Sequence, residues 1–267
     1  MMIVKNSMDL SSIKAPTLTV FCPLFKGAEF IEGYLEDVIS QTIFDEVSFY
    51  ILDCNSPHDE FSVIERFLGY NNIHYKRLEH DPGLYEAWNI CCKSASTELV
   101  GNWNVDDRKS PWSLESLRQP FILDTNLDIS YGATLVSTIP NENWSRIKES
   151  PVFPCNDTNR WQDLVANNNP HCMPVWKKSI HDRFGYFDTQ YQTAADSDMW
   201  IRAVKNGAKI KKINDIVGIY FDNPQGRSTN PETLNEMLEE VHKMRSTHLP
   251  SYRKNFPTEA GSTVGDR

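Results

Sequence analysis

Two adjacent carboxylates, Asp106 and Asp107, follow the apolar run at residues 99–103, and an acidic glycine turn, Glu79-His80-Asp81-Pro82-Gly83, opens the helical stretch before it. Ligands gather at strand ends in an open α/β sheet, and paired acids there suit a hard divalent cation with the phosphates it carries. The plain alternative is that the two acids form a polar turn. A second acidic pair, Asp196 and Asp198, lies in Thr193-Ala194-Ala195-Asp196-Ser197-Asp198-Met199-Trp200-Ile201-Arg202. Residues two apart on a helix point about 200° apart around its axis, so these two cannot both face one site. Asp198 stands four residues before Arg202, the favourable order for a surface ion pair. Asp196 is then left to face a cleft, unless it closes a capping box with Thr193. Asp53, ending a strand in Leu52-Asp53-Cys54-Asn55-Ser56, can simply open a turn. Asp81 before Pro82 reads as a helix N-cap with Pro at the first helical position.

Elements must bring these groups together. Residues 17–23 read as a buried strand, and Phe30, Ile31, Tyr34, Leu35, Val38 and Ile39 mark one face of a helix. A strand at 48–53, a helix at 59–68, a short strand at 73–78, a helix at 84–94 and a strand from Leu99 follow. This alternation implies an α/β fold, a mostly parallel sheet flanked by helices. The second half is less regular. A strand is expected at 129–136, then a stretch at 137–170 with Pro140, Pro151, Pro154 and three consecutive asparagines but no period. Such a stretch is a lid, a binding loop or disorder. A helix at 194–206 should stop at Gly207, one or two short strands fill 210–220, and a last helix spans 231–245 with Pro231 in its first turn. Together these give one domain over 17–250, with a nucleotide-binding half to 107, an N-terminal extension at 1–16 and a flexible tail at 251–267.

Composition narrows the classes. The chain of 267 residues is 40% hydrophobic and 24% charged, with no apolar run long enough to span a bilayer. Lys5, Asn6, Asp9 and Lys14 stand where a secretory leader needs an apolar core, so a cytoplasmic setting is expected, with peripheral attachment to the inner membrane face left open. Lys and Arg number 27 against 36 Asp and Glu, a net charge of -9 that argues against a nucleic-acid partner. Six cysteines, at 22, 54, 91, 92, 155 and 172, form no CxxC pair and read as free thiols.

The ordered set of Pro23 after the first strand, Asp53, the segment from Asp81 to Asn89, Asn104-Val105-Asp106-Asp107, and Asp196 to Arg202 resembles family 2 glycosyltransferases, inverting enzymes of the GT-A fold. The likeness runs from about residue 17 to 220. It implies a Rossmann-like nucleotide-binding half and an irregular acceptor half. It also implies a nucleotide-sugar donor, a UDP-sugar first, with Mn²⁺ or Mg²⁺, and a hydroxyl of a glycan or glycolipid as acceptor. By that resemblance Asp107 holds the metal, and Asp106 shares it or touches ribose or diphosphate. Asp53 grips the nucleoside, Asp81 and Asn89 face the nucleotide, Arg202 lies with the donor group, and Asp196 is the general base. Cys54 departs from the family pattern, standing where a second acid is usual, which leaves the nucleotide base open. His171 and Trp176 fall in a segment resembling the acceptor side of related enzymes, His171 near the metal and Trp176 as a platform for a sugar ring. Each also reads as an ordinary structural residue. The loop from Asn223 to Thr229 resembles one near the diphosphate or acceptor. Rival readings are a silent nucleotide-sugar-binding module, favoured by Cys54, and a sugar nucleotidyltransferase, for which Lys26-Gly27 is too thin a phosphate loop. A transferase acting on modified DNA bases is opposed by the acidic balance.

Overall fold

Apolar runs and amphipathic stretches alternate in the computed structural model, which describes residues 17–147, 149–171, 173–226 and 229–254. The first half comprises β1 (Leu18–Leu24), α1 (Ile31–Ile39), β2 (Val47–Asp53), α2 (Phe61–Ile64), β3 (Ile73–Arg77), α3 (Leu84–Ser94), β4 (Leu99–Asn102), β5 (Arg108–Lys109) and α4 (Ser113–Leu123). The second adds β6 (Ile129–Ser137), α5 (Trp161–Ala166), β7 (Val175–Lys177), α6 (Ile180–Phe184), α7 (Ala195–Lys205), β8 (Ile210–Phe221) and α8 (Leu234–His248). One eight-stranded sheet runs β3-β2-β1-β4-β7-β6-β8-β5. The pairs β3–β2, β2–β1, β1–β4 and β6–β8 are parallel, while β7 and β5 pair antiparallel with their neighbours. Parallel strands demand cover on both faces, and two apolar layers provide it. One joins α1 and α4 to the sheet through Ile31, Tyr34, Leu35, Leu114 and Trp103; the other joins α3 and α7 through Trp88, Trp176, Trp200 and Phe187.

Four expectations are corrected. The second helix is shorter than 59–68, because α2 gives way at Glu65 to a tighter turn, Glu65–Phe67, and Glu60 turns inward to accept the Gly27 N–H at 2.8 Å. Of the one or two short strands expected at 210–220, there is one, and it is long rather than short; its register against β6 slips on either side of Ala133, absorbing the irregularity as bulges. The last helix starts at Leu234, because Asn230 holds a turn through Pro231 by accepting from Glu232 and Thr233. Part of 137–170 is ordered, with Val152 bridging Leu135 and α5 following. The N-terminal extension and residues 255–267 lie outside the described residues; residues 251–254 belong to a short helical turn, Pro250–Lys254. Among the described residues no helix is long and apolar enough to cross a membrane. Cys22, Cys54, Cys91, Cys92 and Cys155 are free thiols, and Cys172 lies outside the described residues.

The short strand β5 matters because it returns the chain from Asp106 and Asp107 to the sheet. Gly218 of β8 allows it, since a Cβ there would run into the Arg108 carbonyl. Arg108, 4% exposed, is clasped by Asp37 of α1 through Nε–Oδ2 at 2.6 Å and Nη2–Oδ1 at 2.7 Å. Removing one partner of a buried pair strands the other charge, at a cost of roughly 3–5 kcal/mol. Asp37→Ala should therefore lower unfolding stability by about that much in a urea titration. A loss below about 1 kcal/mol would mean the guanidinium finds water or another acceptor.

Candidate active site

The C-terminal ends of β1, β2 and β3 lie level, with Leu24 opposite Asp53 and Asp53 opposite Arg77. Asp53 is 1% exposed and both its oxygens are taken: Oδ1 accepts the Ser56 N–H at 2.8 Å, and Oδ2 accepts Tyr75 Oη and Arg77 Nη1, each at 2.6 Å. The expected grip of Asp53 on the nucleoside is therefore corrected. It anchors Arg77, whose guanidinium remains 44% exposed at the strand end. Phe25, also exposed, follows β1 at the same edge. Sequence reading passed over both, because only the strand register sets them beside Asp53.

Asp81 does not cap α3. The helix begins after Gly83, which takes φ +81°, a conformation glycine adopts without strain. Exposed Asp81 accepts the Gly83 N–H at 2.8 Å and fixes that turn. Burial first, then the charges of Asp81 and Asp53, push the Cys54 thiol up to about 12, so the thiol stays protonated beside them. Asn89 is closed off: its amide exchanges two 3.0 Å hydrogen bonds with the Phe187 backbone and stays 3% exposed. It fastens α3 to the segment before α7 and does not face a nucleotide.

The acid pair sits in a turn sealed by Trp103, whose Nε1 donates to the Asp107 carbonyl at 3.0 Å. Gly27, in the loop after β1, packs against the Val105 side chain, so this turn abuts the donor-side loop. Asp107 is 1% exposed; Oδ1 accepts the Phe221 N–H and Oδ2 accepts Asn104 Nδ2, both at 3.2 Å. Asp106 keeps part of its surface open and receives only a long 3.4 Å contact from Asn223. The accessible carboxylate is thus Asp106, the reverse of the expected order. Burial raises the pKa of both groups, and for Asp107 the charge of Asp106 raises it further. A divalent cation relieves that repulsion, and carboxylate oxygens suit a hard one, so the residues present fit Mn²⁺ or Mg²⁺. Among the described residues no cluster of three or more potential ligands exists, so diphosphate oxygens and water must complete any shell.

Asp196 lies in the first turn of α7. Tyr85 Oη donates to its Oδ1 at 2.9 Å and Asn168 Nδ2 to its Oδ2 at 2.7 Å. The capping box with Thr193 is absent, since Thr193 Oγ1 donates to Glu240 instead. Burial raises the pKa of Asp196, and the donors from Asn168, the Ser197 backbone and Tyr85 temper the rise. The residue as a whole stays half-buried. Asp198 points elsewhere, as the helix geometry requires, but its pair is buried, not superficial. Only 7% exposed, it meets Arg202 at 3.0 Å and His248 at 2.7 Å. Against the upward push of burial, the His248 hydrogen bond and the Arg202 charge hold its pKa below the usual range. Arg202 also donates to the Phe184 and Tyr186 carbonyls. It braces α7 against α6 and does not reach the donor groups.

Trp176 is corrected outright. It is 0% exposed, donates through Nε1 to His181 at 2.9 Å and packs edge-on against Phe21 and Trp200, so no sugar ring can stack on it. His171 ties the two acidic sites together. Its N–H donates to the Asn168 carbonyl at 3.1 Å, and its ring stacks on Phe153 at 3.8 Å and meets Tyr220 at 4.8 Å. Tyr220 adjoins Phe221, whose N–H holds Asp107. An unbroken run of contacts therefore links Asp196, Asn168, His171, Tyr220, Phe221 and Asp107. Nδ1 of His171 is buried without a hydrogen-bond partner. A cavity of about 580 Å³ lies away from these groups, between α4 and β8. In the loop from Asn223 to Thr229, Arg227 and Ser228 lie outside the described residues.

Burial lowers the pKa of both His171 and His181 to about 4. Their imidazole Cε1–H resonances should therefore stay still between roughly pH 8 and 5.5, a range in which an ordinary histidine near 6.5 titrates. A midpoint near 6.5 for either would mean its ring is open to water.

A family model described as glycosyl transferase family 2 matches residues 19–185. Hyaluronan synthase of Pasteurella multocida is 22% identical over 203 residues, 76% of this chain but 20% of that protein's length. Among solved structures, S. aureus TarS 1-349 in complex with UDP-GlcNAc superposes with a TM-score of 0.68 at 17% identity, covering 87% of this chain and 66% of that one. The mannosyltransferase PcManGT from Pyrobaculum calidifontis, in complex with GDP-Man and Mn²⁺, gives 0.62 at 15% identity, covering 90% and 74%. The chain thus spans a fifth of the curated relative it matches and just under two thirds of TarS 1-349, which it covers to 65%.

Proposed function

The chain belongs to glycosyl transferase family 2 and has the GT-A fold, and from that premise we propose that it transfers a sugar from a nucleotide-sugar, a UDP-sugar first, to a glycan or glycolipid hydroxyl with inversion. One observation carries the reading. Asp196 is held by Tyr85 and Asn168, and a run of hydrogen bonds and ring contacts joins it to the Asp106–Asp107 turn. Phe25 and Arg77 offer a stacking face and a cation to the base and ribose. Asp81 and the turn at Gly83 border the same edge.

In the transfer, Asp196 accepts the proton of the acceptor hydroxyl as its oxygen forms a bond to the anomeric carbon. The bond from that carbon to the diphosphate oxygen breaks on the opposite face, and the nucleoside diphosphate departs. General base action of this kind contributes roughly 10²–10⁴-fold. A divalent cation held at Asp106 supplies charge neutralisation to the diphosphate when bound. Asp107 orients Asp106 by tying its turn to β8. Tyr85 and Asn168 fix the Asp196 carboxylate and leave it basic enough to take a proton.

A panel of UDP- and GDP-sugars with and without Mn²⁺, read by thermal shift and by release of the nucleoside diphosphate, tests the proposal. Stabilisation by one nucleotide class with slow product release is the expected result. Stabilisation with no release from any donor, with glycan acceptors supplied, would favour the silent binding module.

A further inference from the structure

The family model ends at residue 185, ahead of both the helix bearing Asp196 and α8, which packs against it. The N-terminus of α7 has no side-chain cap of its own. The backbone N–H groups of the turn leading into it, Gln192 to Ala194, are gathered by Glu240, midway along α8. Glu240 Oε1 accepts from Thr193 N and Thr193 Oγ1, each at 2.7 Å, and from Ala194 N at 2.9 Å. Its Oε2 accepts from Gln192 N at 2.7 Å. The carboxylate thereby pins the turn that enters α7, up to its N-cap residue Ala194, and sits at the positive end of the helix dipole.

Two more residues of α8 grip the same assembly. His248 pairs with Asp198, two residues beyond Asp196, at 2.7 Å. Arg245 donates at 3.0 Å to the carbonyl of Ala166, two residues before the Asn168 that donates to Asp196. The last helix therefore fixes both the rotation of α7 and one of the two donors to the candidate base. Among the described residues the side chains of α8 hydrogen-bond to the turn before α7, to Asp198, Ala166 and Tyr252, and not to Phe25, Arg77, Asp106 or Asp107.

We propose that Glu240 is a positioning residue for the transfer step, holding the first turn of α7 so that Asp196 points at the acceptor oxygen. The proposal rests on the reading of Asp196 as base. It differs from a plain stabilising role in one measurable way, because it separates turnover from donor binding.

UDP-GlcNAc with Mn²⁺ is the probe, its hydrolysis reporting how well Asp196 activates a water, while calorimetry with UDP reports donor binding on the full chain. A misplacement of about 1 Å costs on the order of 10²-fold, so Glu240→Ala should lower kcat for hydrolysis by roughly that factor with UDP affinity within about two-fold of wild type. Glu240→Gln keeps an acceptor at the Oε1 position and should recover most of the rate. Glu240→Asp, one methylene short, should not. These last two variants carry the test alone if Glu240→Ala does not fold. Wild-type turnover in Glu240→Ala and Glu240→Asp overturns the proposal, as does a parallel fall of rate and UDP affinity, which marks general loosening. A wild-type chain that binds UDP but releases it from none of a panel of UDP-sugars, even with acceptor glycans, overturns the reading of Asp196 beneath it.

Discussion

Asp196→Asn should lower turnover by roughly 10²–10⁴-fold, the range a positioned general base supplies, and leave UDP affinity unchanged. The substitution keeps shape and most hydrogen bonding. Its carbonyl oxygen still accepts from Tyr85 Oη, and Asn168, now facing an amide, can turn its own oxygen toward the new N–H. What disappears is the capacity to take a proton. A variant with full turnover would remove Asp196 as base, whatever its effect on stability.

The same group fixes the pH dependence. Burial raises the Asp196 pKa above the ordinary carboxylate value, and only the deprotonated form can act as base. The rate should therefore fall on the acid side as pH drops through that raised pKa, with the profile flat above it until another group intervenes. In Asp196→Asn the residual rate should lose this acid limb. His171 and His181, with pKa values lowered to about 4 by burial, remain neutral there and do not shape the profile near pH 6.5. An acid limb that persists unchanged in the Asn variant would assign it to a different carboxylate.

How far the sequence was legible follows from which interactions are local. α3 begins at Leu84 and ends at Ser94 as expected, because a positive-φ glycine and an amphipathic period are both written within eleven residues. The parallel sheet was legible for the same reason, since each buried strand is a continuous apolar run. The polarity of the site was legible too, in acids that follow strands. Which oxygen stays open was not. Asp53 looked available until register set Tyr75 and Arg77 of β3 beside it. Trp176 looked like a platform until β7 was inserted between β4 and β6, where both faces are covered. Asn168 and Glu240 left no signal at all, because each acts on α7 from a distant part of the chain, 28 residues away from Asp196 in one case and 46–48 residues from the N–H groups it accepts in the other.

The acid pair gives the second large effect, and it discriminates between two neighbouring carboxylates. Asp106→Asn removes the open carboxylate and should weaken the Mn²⁺-dependent part of UDP binding by roughly 10²-fold, while metal-free UDP binding stays where it was. Loss of a group that only orients a ligand costs roughly 10–100-fold in metal affinity, so Asp107→Asn should have the smaller effect on binding. It should have the larger effect on the fold. An amide at 107 retains one good acceptor, and its N–H then faces either the Phe221 N–H or the Asn104 amide inside a site only 1% exposed. A buried unsatisfied donor costs about 1–3 kcal/mol, which a urea titration would register for Asp107→Asn and not for Asp106→Asn. Calorimetry with UDP at fixed Mn²⁺ separates the cases. Binding lost in Asp107→Asn but kept in Asp106→Asn would return the metal to Asp107, and would mean that the Phe221 and Asn104 hydrogen bonds give way when the donor arrives.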